Sequence, residues 1–124
     1  MTWWLWGDDE HCDKRFNEAG THAMGLYVRA GSWCMGKVRY RPEREIPAEW
    51  FVPDDQVKAW CGSVRQANRL VDVGLWYRAR GGYGFAWIRT ENTADTLRAK
   101  RAAERKKWEA RKKLPRGGIG GSLQ

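Results

Sequence analysis

Three polar side chains within five residues, Arg65, Gln66 and Arg69, are of the types that read base edges in duplex DNA. Arginine matches the two hydrogen-bond acceptors of guanine, and glutamine matches the donor and acceptor of adenine, each in a bidentate geometry. Ser63, Gln66 and the free backbone amides at a helix start are suited to hold phosphates. The alternative is that these are solvated polar positions without a partner.

The residues around this set predict two short helices joined by a tight turn. Pro53 followed by two aspartates is typical of a helix start, because proline loses no needed hydrogen bond there and carboxylates favour the positive helix end. Gly62 breaks this first helix. Ser63 is predicted to cap a second helix over residues 64–73, with apolar residues on one side and the arginines on the other. Gly74 is predicted to be its C-terminal cap.

A hairpin is predicted directly after the second helix. Aromatic residues typical of strands flank the turn Arg80-Gly81-Gly82, whose glycines suit a turn that needs positive φ. Arg78 and Arg80 are then placed to reach the phosphate backbone or the minor groove. Helix, tight turn, recognition helix and hairpin form the order of a winged helix-turn-helix. The predicted fold class is therefore mainly α with a small β hairpin (α+β), a winged helix-turn-helix with a basic C-terminal helix.

The last third of the chain predicts one basic helix. Asn92 or Thr93 is suited to cap it, and residues 97–113 are almost wholly strong helix formers with few large apolar residues. Three interpretations stay open: contact with nucleic acid, a solvated helix with glutamates as internal partners, and a homodimer formed through Trp108. The tail residues assigned to phosphate contact are Arg98, Arg101, Arg105 and Lys106.

The charge of the chain is concentrated in this tail. The whole chain of 124 residues carries a net charge of +8, and residues 92–124 alone carry 10 Lys/Arg and 3 Asp/Glu. Residues 54–91, with 6 Lys/Arg and 4 Asp/Glu, are only mildly basic. Three parts are predicted: a winged helix-turn-helix domain over residues 1–91, a basic helical tail over 92–116 and a flexible glycine-rich end over 117–124. Binding through the tail should weaken steeply with salt.

The first half of the chain predicts a buried helix over residues 19–35, from its apolar spacing. Asp8 or Asp9 is predicted to cap a shorter helix before it. Residues 2–6 suit a strand at a sheet edge. Residues 36–52 are predicted to form a loop, with a short strand around residues 38–40.

Other classes of function are not favoured. Three cysteines at irregular spacing indicate a reducing compartment rather than a disulfide framework, and Cys34 and Cys61 are interpreted as small core residues. The spacing of His and Cys gives no metal motif, and no arrangement for catalysis or cofactor binding stands out. We expect no signal peptide, and no run approaches the ~20 apolar residues of a membrane span. We expect a non-enzymatic, cytoplasmic protein without metal, cofactor or membrane contact.

Several blocks of the chain resemble small helix-turn-helix proteins encoded by actinobacterial phages and prophages. The first block runs from Ala19 to Cys34, and Phe51-Val52-Pro53 follows in the same order. The spaced residues from Ala67 to Trp76 and then Gly82-Tyr83-x-Phe85 complete the resemblance, which covers about residues 3–88. It implies a DNA-binding or replication-initiation-like protein of a phage in its bacterial host.

Two functions from different classes follow. The first is a double-stranded DNA-binding protein acting in phage replication initiation or transcription control, with the recognition helix in the major groove and the tail on the phosphate backbone. The second is a winged-helix module that binds a host or phage replication protein. The mixed-sign loop at residues 37–49 and the tryptophans expected to be exposed motivate the second.

Overall fold

The computed structural model describes residues 4–7 and 9–113, and it is mainly helical with one small antiparallel sheet. The helices are α1 (Lys14–Ala19), α2 (Thr21–Lys37), α3 (Asp54–Cys61), α4 (Arg65–Asp72) and α5 (Ala94–Lys113). The strands are β1 (Phe51–Pro53), β2 (Trp76–Ala79) and β3 (Gly82–Phe85). The predicted mainly helical α+β class is confirmed. No helix in the described ranges is both long and apolar enough to cross a bilayer.

The sheet contains three strands in the order β1-β3-β2, rather than a hairpin alone. Val52 pairs with Tyr83 on one side of β3, and Arg78 pairs with Tyr83 on the other. The strand predicted around residues 38–40 is wrong, and the third strand is β1 instead. Tyr40 adopts a φ of 64° in a turn closed by the Arg41 amide on the Val38 carbonyl at 3.0 Å, so this segment is not extended.

Gly74 follows the end of α4 as predicted, but the N-cap residue is Val64 rather than the predicted Ser63. The Ser63 hydroxyl accepts a hydrogen bond from the Arg65 amide at 3.3 Å. Gly74 has a φ of 85°, and beyond it the Leu75 amide donates to the Leu70 carbonyl at 2.9 Å. That bond satisfies a carbonyl at the helix end. The helix is one residue shorter at each end than predicted.

The first two helices are separate because Gly20 has a φ of 90° between them. The buried helix predicted over residues 19–35 is therefore α2, starting at Thr21. The predicted cap of α1 is wrong: the Asp13 carboxylate, not that of Asp8 or Asp9, accepts from the Arg15 amide at 2.8 Å. Arg15 also binds that carboxylate through its guanidinium, which lowers the pKa of Asp13.

The core is built around aromatic rings that meet edge to face. Tyr27 on α2 lies 4.9 Å from Phe16 and 5.3 Å from Phe85, measured between ring centroids. Trp76 continues the cluster at 5.5 Å from Phe85 and is itself buried. Such pairs add about 0.5–1.5 kcal/mol each beyond the area they bury. They join α1 and α2 to the hairpin.

The described N-terminal segment, residues 4–7, is not a strand. It lies against α2 and the end of β3, where the ring of Trp4 packs on Gly31 and stands 5.4 Å from Phe85. The buried Asn92 side chain binds both backbone groups of Leu5, at 2.7 and 2.8 Å. An edge strand would form backbone hydrogen bonds with a neighbouring strand. Here the Asn92 side chain binds the backbone groups of Leu5 instead.

Helix α5 starts inside the core and continues into solvent. The Thr93 hydroxyl accepts from the Thr96 amide at 3.2 Å, which makes Thr93 the predicted cap. Ala94 and Leu97 are buried with the rest of the core, whereas residues 103–113 are exposed. The predicted glycine-rich end over residues 117–124 lies outside the described residues.

Candidate nucleic-acid interface

Helix α4 presents one polar side to solvent. Ala67 and Leu70 are fully buried, and they direct the apolar side of α4 toward α2. Because a helix turns 100° per residue, the opposite side carries four exposed residues. They are Arg65, Asn68, Arg69 and Asp72.

Arg65 is the best placed of the predicted base-reading residues. It is exposed in the first turn of α4, and its guanidinium has no hydrogen-bond or ion-pair partner within the described part of the chain. Ser63 lies exposed two residues before Arg65, and its hydroxyl accepts a hydrogen bond from the Arg65 amide. The remaining amides of the first turn have no partner inside the helix, which makes this end suited to an anion.

Gln66 lies at the border of the exposed side rather than at its centre. Its side chain is half-buried, because its position on the helix is nearer to Leu70 than to Arg65. Asn68 occupies the outward position instead, and its carboxamide oxygen accepts from the Tyr83 hydroxyl at 2.8 Å. The amide group of Asn68 stays available as a donor. Sequence reasoning missed Asn68 because the residue that orients it is on β3.

Arg69 is held by the protein itself. Its Nε donates to the carbonyl of Ala19 at 2.8 Å, and a terminal nitrogen donates to the carbonyl of Glu18 at 3.3 Å. These carbonyls are at the C-terminal end of α1, where a cation is favoured. Arg69 therefore anchors α1 to α4, a different role from the base contact predicted for it.

The hairpin arginines differ from each other. Arg80 is exposed at the two-residue turn, where Gly81 has a φ of 78°. Arg78 instead binds both carboxylate oxygens of Asp54, at 2.5 and 2.8 Å, and lies 4.7 Å from the centre of the Tyr83 ring. The hydrogen bonds from Arg78 lower the pKa of Asp54. This pair ties the hairpin to the start of α3, and Arg80 is left as the cation directed outward.

Three of the four predicted tail arginines and lysines bind the loop after α2. Arg98 donates to the Pro47 carbonyl and to Asp95, Arg101 to the carbonyls of Val38 and Arg41, and Arg105 to Glu43 at 2.5 Å. Only Lys106 among the four is exposed without such a bond in the described ranges. Other exposed cations of α5 are Lys100, Lys107, Arg111, Lys112 and Lys113.

The two groups of predicted residues are not brought together. Arg69 binds the chain immediately before α2, and Arg101 binds the chain immediately after it. A helix of 17 residues spans about 25 Å, at 1.5 Å per residue. The exposed side of α4 and the basic helix α5 are therefore anchored at opposite ends of α2.

Within the described part of the chain, the cysteines and acidic residues form no metal-binding group. Across residues 4–7 and 9–113, no three His, Cys, Asp or Glu side chains are grouped so that they could hold an ion. Cys34 is buried, and burial raises its pKa to about 12. The core assignment of Cys61 is wrong, since it is exposed at the end of α3, one residue before Gly62 turns the chain.

Comparison with known proteins gives no relative for this chain: no family model, curated protein or solved structure matches it significantly.

Proposed function

We propose that the chain is a non-enzymatic double-stranded DNA-binding protein with a winged helix-turn-helix fold. Helix α4 is the recognition helix, and the β2–β3 hairpin is the wing. The observation that carries the proposal is the exposed side of α4, where Arg65 and Asn68 project outward next to a hairpin with Arg80 at its turn. The role in phage replication initiation or transcription control is part of the same proposal.

The order of elements supports this fold. A helix, a strand, two short helices joined by a tight turn and two strands follow one another in α2-β1-α3-α4-β2-β3. In a helix-turn-helix, the second helix lies in the major groove and its first residues contact base edges. Arg65 is the first residue of α4, and no charge partner occupies it within the described residues.

Each outward group has a distinct task in the proposal. Arg65 donates to the O6 and N7 acceptors of guanine, and the amide of Asn68 donates to a base acceptor. The amides at the start of α4 and the Arg80 guanidinium bind phosphates and fix the orientation of the protein on the duplex. Arg69 and Arg78 act indirectly, because their bonds hold α1 and the hairpin in place around α4.

Binding-site selection from random duplexes tests the assignment. The wild-type protein should enrich a sequence with a required guanine, and Arg65→Ala should lose the preference at that base and about 1–3 kcal/mol of affinity. Arg80→Ala should weaken binding about equally for all sequences. Arg44→Ala is the matched control, since Arg44 is an exposed cation far from α4 and the hairpin in the chain. Equal selectivity of Arg65→Ala and wild type would reject α4 as the reading helix.

A protein-binding module is the second candidate. The observation that favours it is the internal use of two arginines: Arg78 is neutralised by Asp54, and the guanidinium of Arg69 is held by backbone carbonyls. Both are therefore less available to contact DNA. Capture from a bacterial lysate treated with nuclease distinguishes the two functions. A partner retained without nucleic acid, and absent with Arg65→Ala, would favour the host or phage replication protein as the target.

A further inference from the structure

A large open groove separates the turn after α2 from helix α5, and the proposed contacts of α4 do not use it. Its volume is about 990 Å³. Leu97 lines its inner end. Trp108 lies on the same side of α5, further along the helix, and also lines the groove. Arg101 holds the groove together, because its guanidinium donates to carbonyls of the turn.

Two aromatic side chains on this groove are unusually exposed. Tyr40 is 89% exposed and Trp108 is 57% exposed. Tyr40 is also the one non-glycine residue in the described ranges with positive φ, a conformation that is strained for a bulky side chain. Lys112 lies 5.1 Å from the centre of the Trp108 ring and covers part of it. Large apolar rings are thus held on the surface rather than buried.

The groove is positively charged. Arg39, Arg41, Arg101 and Arg105 line it, together with the carboxylate of Glu104. Arg41 is paired with Glu45, and Arg105 with Glu43 and Glu109, so the excess charge comes from Arg39 and Arg101. Arg101 binds only backbone carbonyls, so its charge is not neutralised by an acid among the described residues. Outside the groove, the exposed end of α5 adds further lysines and an arginine. A polyanion complements this surface.

We infer that the groove binds single-stranded nucleic acid. Unpaired bases stack on Tyr40 and Trp108, and the phosphates between them contact Arg39, while the charge of the carbonyl-bound Arg101 adds electrostatic attraction. Cationic grooves with aromatic platforms bind single strands in this way with little sequence preference. A duplex has no free base face to offer these rings. A second copy of the chain is disfavoured, because α5 carries nine basic and three acidic residues and would repel itself.

Fluorescence anisotropy with a labelled 15-nucleotide strand tests the inference on the full chain. Trp108→Leu keeps an apolar helix former but removes the stacking ring, and we expect it to weaken binding about tenfold. Trp108→Phe retains a ring and should restore most of the affinity. Tyr40→Asn should weaken binding by a similar factor, since asparagine tolerates positive φ. Circular dichroism of each variant checks that the helices are intact.

An abasic strand of the same length separates stacking from charge. Wild-type protein should bind it more weakly than Trp108→Leu binds the normal strand, because both Tyr40 and Trp108 lose their stacked bases. Wild type and Trp108→Leu should bind the abasic strand equally. DNA and RNA strands of matched sequence show which of the two is the better ligand. Arg65→Ala should leave single-strand binding unchanged, so the groove is tested independently of the α4 interface.

Three outcomes would overturn the inference. One is equal single-strand affinity of Trp108→Leu and wild type, and another is equal wild-type affinity for normal and abasic strands. The third is a wild-type dimer, measured by sedimentation, that Trp108→Leu dissociates while single-strand binding stays unchanged. That result would assign the exposed ring to self-association instead.

Discussion

The arginines of helix α4 and of the β2–β3 hairpin have different roles in this protein. Arg65 is directed to solvent, whereas Arg69 caps the carbonyls of α1 and Arg78 pairs with Asp54. Hydrogen bonds to a charged group contribute about 1.5–3 kcal/mol, although exposure lowers this for surface pairs. The residue type therefore predicts which side chains are suited to contact DNA. The neighbours of each side chain in the fold determine whether it is free to make that contact.

Asn92 is expected to be the most sensitive polar residue for stability. Its side chain is 1% exposed and binds both the amide and the carbonyl of Leu5. Asn92→Ala leaves those groups without their partner, and we expect the free energy of unfolding to fall by about 2 kcal/mol. Urea denaturation measures this. Asn17→Ala, at an exposed position of α1, should change it by less than about 0.5 kcal/mol.

The Asp54–Arg78 pair should give a pH-dependent contribution to stability. Arg78 lowers the pKa of Asp54 in the folded state, so the contribution is fully present above the unfolded pKa of about 4. It is lost as the pH falls through the lower folded pKa. Urea midpoints of wild type and Asp54→Asn should differ by a constant amount from pH 5 to 7 and converge below about pH 4.

Asp55→Asn is the matched control for that experiment. Asp55 is the exposed neighbour of Asp54 in α3 and has no ion pair within the described ranges. Its substitution should not reproduce the pH-dependent difference. If the urea midpoints of wild type and Asp54→Asn differ by the same amount down to pH 2.5, the ion pair does not couple the hairpin to α3.

At the scale of elements, the sequence predicts what depends on near neighbours. Gly62, Gly74 and Thr93 set helix ends through their own backbone or side chains, so α3, α4 and α5 are predicted closely. Strand β1 is different, because three residues become a strand only by pairing with β3, about thirty residues further along. The outward position of Asn68 likewise depends on Tyr83. Contacts between residues so far apart in the chain leave no periodic pattern of residue types in the sequence.

Helix α5 is expected to act through charge alone on duplex DNA. Replacing Lys106, Lys107 and Lys113 by glutamine should weaken binding to all duplexes about equally. The slope of log K against log salt concentration is negative. Its magnitude should decrease by roughly 0.9 for each phosphate that the variant no longer neutralises. Replacing these exposed lysines preserves Arg98, Arg101 and Arg105, whose bonds to the loop after α2 are structural.

Arg44→Gln is the control for this measurement. It removes one exposed cation outside α4, the hairpin and α5. An unchanged salt slope for the triple lysine variant would mean that α5 does not contact the duplex. The basic helix would then serve only the groove beside it.

At the scale of the whole molecule, α2 is the spacer between two candidate surfaces. Its 17 residues place the carbonyl bound by Arg69 and the carbonyl bound by Arg101 about 25 Å apart along its axis. That distance corresponds to roughly seven base pairs of duplex, at 3.4 Å per step along a strand. A protein with α4 in a major groove can thus hold a neighbouring stretch of nucleic acid at its other end.

The most direct test of the α4 interface is amide chemical-shift mapping of the ¹⁵N-labelled chain with its selected duplex. We expect the largest shifts in the first turn of α4 around Arg65 and at the hairpin turn around Arg80, with smaller shifts in α5. Shifts confined to α5 and the loop after α2, with α4 unchanged, would contradict this expectation.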